Sequence, residues 1–215
     1  MVKEEFNKMV KEELNKILNN HKEWLRTNRK VGCVANFRLM NLRHVDLSYV
    51  DLRYADLRYA DLSYADLFHS DLSYADLRYA NLNHANLRHA DLRSADLSYA
   101  DLFHSDLSYA DLHHADLSYA NLRYTDLSCA DLRSADLRSA DLDYSVFPLW
   151  CGGLDVNIDD RQATQLLYHL IRNVNYSKNI TESFKKLCMT ESLVNQANKF
   201  HRIDECGIIK ENKTK

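Results

Sequence analysis

Glycine and proline are nearly missing from this chain, which excludes several architectures. The 215 residues include only 4 Gly and 1 Pro. Collagen-like repeats, Pro-rich linkers and glycine-cradled nucleotide sites all depend on these two residues. None of the three can therefore organise this sequence.

Long apolar runs and paired cysteines are also missing. No run of about 18 apolar residues occurs, so we expect no membrane-spanning segment. The first residues, MVKEEFNKMVKEEL, alternate charges with single apolar residues, unlike the apolar core of a signal peptide. The 5 cysteines are scattered and never form a C-x-x-C pair. This pattern favours reduced thiols over a disulfide framework or a zinc site, and predicts a cytoplasmic protein with no membrane association and no cofactor.

Leucine, in contrast, recurs with a strict period of five. It fills every fifth position from Leu42 to Leu142, 21 times in succession, and Phe37 and Phe147 keep the same phase at the two ends. We call this residue the centre of each of 23 units. A small residue, usually Ala, lies two positions before the centre, and Asp or Asn lies one position before it in every unit except at Val146.

A period of five fits neither a helix nor a flat strand. In a helix successive leucines would lie about 140° apart around the cylinder, and in a strand they would alternate between two faces. The chain must therefore turn once per unit. If four units close one coil of about 20 residues, each coil can pair with the next as a parallel ladder at about 4.8 Å. The period alone leaves the number four and the handedness open.

This geometry predicts which side chains point inward. Leu and the small residue should form stacked inner layers, and the other three positions, including nearly every Asp or Asn, should face water. The predicted core includes one leucine from each coil, at Leu52, Leu72, Leu92, Leu112 and Leu132.

The units resemble those of the pentapeptide-repeat family over residues 35–149. The match is carried by tandem A(D/N)Lxx motifs, such as ADLRY at residues 55–59 and ANLRY at residues 120–124. The resemblance implies an all-β solenoid, a right-handed quadrilateral parallel β-helix. With about 23 units, this fold would have roughly 5.75 coils and a length of about 27 Å.

The two flanks have helical patterns. Residues 1–34 place apolar residues at steps of three and four, which predicts an amphipathic helix that covers the open end of the first coil. A partner-binding or coiled-coil helix is the alternative. The segment PLWCGG at residues 148–153 marks a boundary, and residues 150–215 predict two amphipathic helices that pack on each other and on the last coil. This region is interpreted as a C-terminal cap or an oligomerisation segment with a frayed tail.

No catalytic site is recognisable in the repeats. Paired catalytic carboxylates need environments that separate their pKa values, whereas each Asp here recurs in nearly the same setting. We therefore expect no enzymatic activity. Histidines one predicted coil apart, as at His84 and His104 or at His69 and His89, would form ladders that could bind a metal or titrate together. Tyr alternates with His at the same position, however, which favours simple aromatic exchange.

Two sets of exposed residues are candidates for binding a partner. A tyrosine column with one member in each predicted coil stabilises the ladder by stacking and can also serve as a protein-binding strip. Residues 36–147 carry 18 Asp against 10 Arg, and the most acidic of the four sides has a net charge of −3. The candidate residues are Tyr59, Tyr79, Tyr99 and Tyr119 in the column, with Asp66, Asp106 and Asp126 on the acidic side.

An internal duplication argues against a finely tuned side. Residues 60–77 recur identically as residues 95–112, an offset of 35 residues or seven units. Because seven is not a multiple of four, the copy is rotated by a quarter turn. Such duplication indicates expansion under selection for the fold.

These observations favour a non-enzymatic interaction or scaffold rod that presents a mildly acidic surface, rich in Tyr and His, to a protein partner. The family resemblance implies an alternative, since some bacterial members are DNA mimics that modulate DNA gyrase or topoisomerase and protect against quinolones. Several members dimerise through a C-terminal helical element, a role open to residues 155–202. Direct binding to nucleic acid is disfavoured because the acidic body repels phosphate.

Overall fold

The computed structural model describes residues 2–146, 156–176 and 190–199. The chain divides into two compact units, Met1–Asn157 and Ile158–Lys215, which are described separately. The helices are α1 (Val2–Arg26), α2 (Asp160–Tyr176) and α3 (Glu191–Ala197). Within the described ranges, none of these helices has the length and apolarity needed to cross a bilayer.

The repeats coil with four units per turn. Parallel bridges join each Asp or Asn to the residue 20 positions later, from Asn36 with Asp56 through to Asp126 with Val146. Because this offset equals four units, the solenoid is a quadrilateral β-helix. Successive coils pair through single-residue bridges rather than through longer strands. Phe147, the centre of the last expected unit, lies outside the described residues.

In a unit in the middle of the array, every backbone N–H group has a hydrogen-bond acceptor. In the unit centred on Leu57, the N–H groups of Asp56, Leu57 and Tyr59 donate to carbonyls of adjacent coils at 2.7 to 3.0 Å. The Ala60 N–H closes the turn by donating to the Leu57 carbonyl at 3.1 Å. The remaining N–H, of Arg58, donates to Oδ1 of Asp56 at 3.2 Å. One short side chain thus satisfies the donor that the ladder leaves over.

This hydrogen bond explains the Asp or Asn before each centre and corrects one expectation. The prediction that this position is nearly always exposed is wrong, because from Asp51 to Asp141 these side chains are half-buried. Each carboxylate or amide folds back towards the backbone instead of extending into water. The exposed members lie at the ends of the array, at Asn36, Asn41, Asp46 and Val146.

The interior consists of leucine and a small residue in alternation. Phe37 and each leucine from Leu42 to Leu137 have no exposed surface, and Leu142 is 5% exposed. Buried hydroxyls replace alanine in a few units, and Oγ of Ser70 donates to a backbone carbonyl at 2.7 Å. The predicted core residues Leu52, Leu72, Leu92, Leu112 and Leu132 all lie in this interior.

Helix α1 contacts the first coil through a buried histidine. His21 is 1% exposed, and its Nδ1 accepts a hydrogen bond from the Ala35 N–H at 3.1 Å. Gly32 has a φ of +80°, and a Cβ at this position would collide with the Asn20 carbonyl oxygen. Trp24 also meets the edge of the Tyr54 ring, with centroids 6.1 Å apart. These contacts place the C-terminal part of α1 against the first coils, and the capping role of residues 1–34 stays a prediction.

Helices α2 and α3 share a small apolar core. Tyr168 and Ile171 of α2 pack with Val194 and Ala197 of α3. Asp159 precedes α2 and forms a capping box with Gln162, in which each side chain accepts a backbone N–H of the other residue, at 3.0 and 3.2 Å. The predicted packing of two C-terminal helices on each other is therefore observed for α2 and α3, but α3 begins only at Glu191, after the extended Thr190, later than the predicted second helix. Residues 147–155, 177–189 and 200–215, where parts of the C-terminal predictions fall, lie outside the described residues.

Candidate functional site

A left-handed backbone position presents the outer side chains of the solenoid. In 22 units the second residue after the centre has a φ between 53° and 66°. This conformation costs about 1–2 kcal/mol for a residue other than glycine. The chain nevertheless uses mainly Tyr, His and Ser at this site, which we call the corner position. Contacts with the neighbouring coils must therefore offset the strain, among them the hydrogen bonds from the Tyr59 and Ser94 N–H groups to carbonyls of the next coil, both at 3.0 Å.

Residues 20 positions apart occupy successive coils, so the solenoid has four faces. We number the faces by the centres of their units. Face 1 contains centres 37, 57, 77, 97, 117 and 137, and face 2 contains centres 42, 62, 82, 102, 122 and 142. Face 3 contains centres 47, 67, 87, 107 and 127, and face 4 contains centres 52, 72, 92, 112 and 132.

The four candidate tyrosines form one stacked column on face 1. The ring centroids of Tyr59, Tyr79, Tyr99 and Tyr119 are separated by 4.9, 4.9 and 4.7 Å, with planes within 12° of parallel. Each tyrosine remains about half exposed. Burial raises the pKa of Tyr99 above its ordinary value, and the neighbouring tyrosines and Asp116 add to this shift. The column is therefore an accessible strip of stacked phenol rings.

Mixed columns of His and Tyr occupy faces 2 and 3. On face 2 six rings stack continuously with centroid separations of 4.7 to 5.2 Å: His44, Tyr64, His84, His104, Tyr124 and Tyr144. On face 3 four rings do the same at 4.7 to 5.4 Å: Tyr49, His69, His89 and Tyr109. Within the described part of the chain, no group of three or more His, Cys, Asp or Glu residues is placed to hold a metal ion.

Arginine clamps hold most of the carboxylates on faces 1 and 4. Arg58 donates from Nε and Nη2 to the two carboxylate oxygens of Asp56, at 2.8 and 2.6 Å. Its Nε also lies 3.4 Å from Asp76 in the next coil. These hydrogen bonds lower the pKa of Asp56 below its usual range. Equivalent clamps pair Arg53 with Asp51, Arg78 with Asp76, Arg93 with Asp91, Arg133 with Asp131 and Arg138 with Asp136.

The candidate aspartates on face 3 have no such clamp among the described residues. Asp66 accepts a hydrogen bond from Nδ2 of Asn86 at 2.9 Å, and Asp126 accepts the Ser128 N–H at 2.8 Å. Asp106 has one cation nearby, the Nε of Arg88 at 3.7 Å. All three carboxylates are half-buried. Their charges are thus less compensated than those on faces 1 and 4.

Sequence reasoning missed a cleft on face 4. It has a volume of about 320 Å³, and its lining includes Tyr74, Arg93, Ser94, His113 and His114. The signal in the sequence is Ser94 itself. The corner residues 20 positions before and after it, Tyr74 and His114, are both aromatic. That signal gains meaning only once the length of the coil is known.

Comparisons with known proteins agree with this architecture. The family model described as "Pentapeptide repeats (8 copies)" matches residues 35–73, 70–108 and 105–143, just over half of the chain. No curated protein matches the sequence.

Several solved structures match as well. Rfr23, a pentapeptide repeat protein from the cyanobacterium Cyanothece 51142, is 26% identical, with 66% of this chain and 95% of that chain covered and a TM-score of 0.35. Full-length QnrB1, a plasmid-mediated fluoroquinolone resistance protein, is 21% identical, with 66% and 75% covered and a TM-score of 0.37. A pentapeptide repeat protein from the Arabidopsis thaliana thylakoid lumen is 24% identical, with 69% and 91% covered and a TM-score of 0.28.

The family match and the coil geometry concern the same residues. The matched segments begin at Ala35, in the unit centred on Phe37, and end within the described coil, whose bridges recur with every four units. On this ground the chain belongs to the pentapeptide repeat family.

Proposed function

We propose that this protein is a non-enzymatic interaction rod that works in the cytoplasm and presents its faces to a protein partner. The proposal includes the finer features expected of the fold, namely right-handed winding and 23 units. Residues 155–202 are the proposed element for homodimer formation, which a molar-mass measurement in solution would test.

The separation between an unvarying interior and a varied surface carries this proposal. The interior uses leucine in every described unit from 42 to 142, and the outer side chains form half-exposed columns. A column of half-exposed tyrosines suits protein binding, because tyrosine gives a large contact area at a low cost in conformational entropy. Face 1 offers the most uniform column of this kind.

A pull-down with the intact protein tests this proposal. The baits are the native protein, a Tyr79→Ser/Tyr99→Ser variant, and a Ser94→Ala variant of face 4 as the control. We expect a partner that the native and control baits retain and the double variant loses. Equal recovery of every bound protein with all three baits would contradict the assignment to face 1.

A DNA-mimic modulator of DNA gyrase or topoisomerase is the second candidate. The observation that favours it is the set of unclamped carboxylates on face 3 at Asp66, Asp106 and Asp126. Uncompensated charge is what a basic, DNA-binding surface would recognise. Faces 1 and 4 argue against it, since their arginines pair with neighbouring aspartates.

A supercoiling assay with purified gyrase separates the two candidates. The DNA-mimic hypothesis expects inhibition by the native protein that is lost in Asp66→Asn/Asp106→Asn/Asp126→Asn. Asn already fills the equivalent position at Asn86, so the fold should persist.

The matched control, Asp61→Asn/Asp101→Asn/Asp141→Asn, removes the same number of charges from face 2. Under the DNA-mimic hypothesis this variant should still inhibit supercoiling. The interaction-rod proposal expects no effect on supercoiling from any of the three proteins, even at low salt, where charge attraction is strongest.

A further inference from the structure

The aromatic column of face 4 is interrupted in its middle. Its corner residues are Tyr54, Tyr74, Ser94, His114 and Ser134 in successive coils. Tyr54 and Tyr74 stack with centroids 5.2 Å apart. Since coils repeat at about 4.8 Å, Tyr74 and His114 flank Ser94 at about 10 Å from each other. On faces 1 to 3 the corner positions of the middle coils all carry an aromatic ring, so those columns have no gap there.

The cleft at this interruption has polar groups along its edge. Arg53 and Arg93 both line it, and each uses Nε and Nη2 to clamp an aspartate. Nη1 of each guanidinium has no hydrogen bond among the described residues, so its donors remain free for an acceptor. Asp71 also lines the cleft, held by Oγ of Ser73 at 2.7 Å and approached by Nε of Arg53 at 3.4 Å.

His113 adds an unused polar atom. It lines the same cleft and contacts His114, with ring centroids 4.1 Å apart. Its Nδ1 is buried and has no hydrogen-bond partner within the described part of the chain. Buried polar atoms are nearly always hydrogen-bonded in folded proteins, so this atom is an unsatisfied polar group in the wall of the cleft.

We propose that this cleft binds a small planar aromatic carboxylate. Its ring lies over Ser94 between Tyr74 and His114, where it completes the column, and its carboxylate accepts hydrogen bonds from the free arginine donors. The volume of about 320 Å³ is at the lower end of the range for small-molecule sites. Offset stacking of aromatic rings supplies the preference for a flat ligand, and a planar guanidinium suits a carboxylate.

The test uses 2-naphthoate as the probe and isothermal titration calorimetry on the intact protein. For a ligand of this size we expect a dissociation constant on the order of 0.1–1 mM. Cyclohexanecarboxylate has the same charge without a planar ring, and 2-naphthylmethylamine has the ring with the opposite charge. Both should bind at least fivefold more weakly.

Ser94→Tyr fills the gap with the residue that other units use at this position, and it should weaken naphthoate binding at least tenfold. Ser134→Tyr is the matched control, because it adds a ring on the far side of His114 and leaves the gap open. A second variant, His114→Ser, removes one wall and should weaken binding about fivefold. Thermal unfolding of each variant checks that the coil is intact.

Three results would overturn the proposal. The first is the absence of saturable binding of naphthoate to the native protein at concentrations up to about 10 mM, tenfold above the weakest expected dissociation constant of about 1 mM. The second is unchanged affinity in both Ser94→Tyr and His114→Ser. The third is tighter binding of the amine than of the acid, which would assign the cleft to cations held by Asp71.

Discussion

The inside and the outside of the solenoid obey different rules. Inside, one residue type fills the central position of each described unit from Leu42 to Leu142, and all of these side chains are buried. At the two positions after the centre the residues vary: the first is Arg, Ser, Asn, Phe, His or Asp, and the second, the corner position, is mostly Tyr, His or Ser. We infer that the interior residues, together with the Asp or Asn beside them, specify the fold. The outer columns are free to vary, so function is to be sought there.

The duplicated segment shows how little the fold depends on the choice of face. Phe68 and Phe103 occupy the same place in the two copies but lie on faces 3 and 2. Each meets the edge of the histidine that follows it, with ring centroids 4.4 and 4.5 Å apart for His69 and His104. The same residues thus build the same local surface after a quarter turn.

Removing residues 1–30 should have the largest effect on the separation of inside from outside. The deletion takes away α1 and with it the His21 contact to Ala35. It exposes the apolar end of the first coil together with unpaired ladder groups, which template association. We expect aggregation, measured by light scattering and by the soluble fraction. A truncated protein that is as soluble and stable as the full chain would show that α1 is not a cap.

Leu92→Ala should be the most costly single change in the interior. The loss of burial and the cavity left behind should lower the free energy of unfolding by about 2–5 kcal/mol. Arg88→Ser, on the surface nearby, should change it by less than about 0.5 kcal/mol. Denaturant unfolding of both variants measures the two changes in unfolding free energy. Equal midpoints for Leu92→Ala and Arg88→Ser would contradict the assignment of stability to the leucine interior.

Asp116 tests the boundary between the two regions. Its Oδ1 accepts the Ser118 N–H at 2.9 Å. Asp116→Ala leaves that donor without its partner and should cost about 1–2 kcal/mol of unfolding free energy. Asp116→Asn keeps the acceptor and should be close to neutral. If Ala and Asn are equally tolerated, the backbone hydrogen bond is not the reason for this residue.

On the surface, single rings should contribute less. Tyr99→Ser removes a ring stacked on both Tyr79 and Tyr119 and should cost about 0.5–1.5 kcal/mol. Ser134→Tyr adds a ring beside His114 and should shift the melting temperature upwards. Calorimetry on the two variants measures both signs, and a stability gain from Tyr99→Ser would show that stacking does not offset the strain of the corner position.

Acid should weaken the helix contact slightly. Burial lowers the pKa of His21 below its ordinary value, Asp51 partly counteracts this, and Arg53 reinforces it. The unfolded chain therefore takes up this proton at a higher pH than the folded chain. The contribution of neutral His21 to the free energy of unfolding is therefore fully present above about pH 6.5, and it decreases as the pH falls below that value.

His21→Gln should reduce the slope of stability against pH below about pH 6.5, measured by denaturant unfolding at several pH values. The same slope in the native protein and in His21→Gln would assign the acid sensitivity to other groups.

The sequence alone determined the parts of the protein that depend on its period. A residue such as Leu92 had to face an axis, because no helix or strand can place every fifth side chain on one side. The helical pattern from Ala163 to Val174 was visible in the same way because it is local, whereas the choice between Asp159 and Asp160 as its cap required the structure.

Other features required contacts between distant parts of the chain. The half-burial of Asp66 results from its side chain folding back on the backbone, which composition cannot show. His21 was visible as one apolar-face position of a helix, whereas its partner Ala35 depends on where the helix lies on the coil. The gap at Ser94 exists only because a turn of four units places Tyr74 and His114 on either side of it. The period of five can be read from the chain itself. Which residues become neighbours along the axis depends on how many units make one turn, and that number is fixed only in the folded coil.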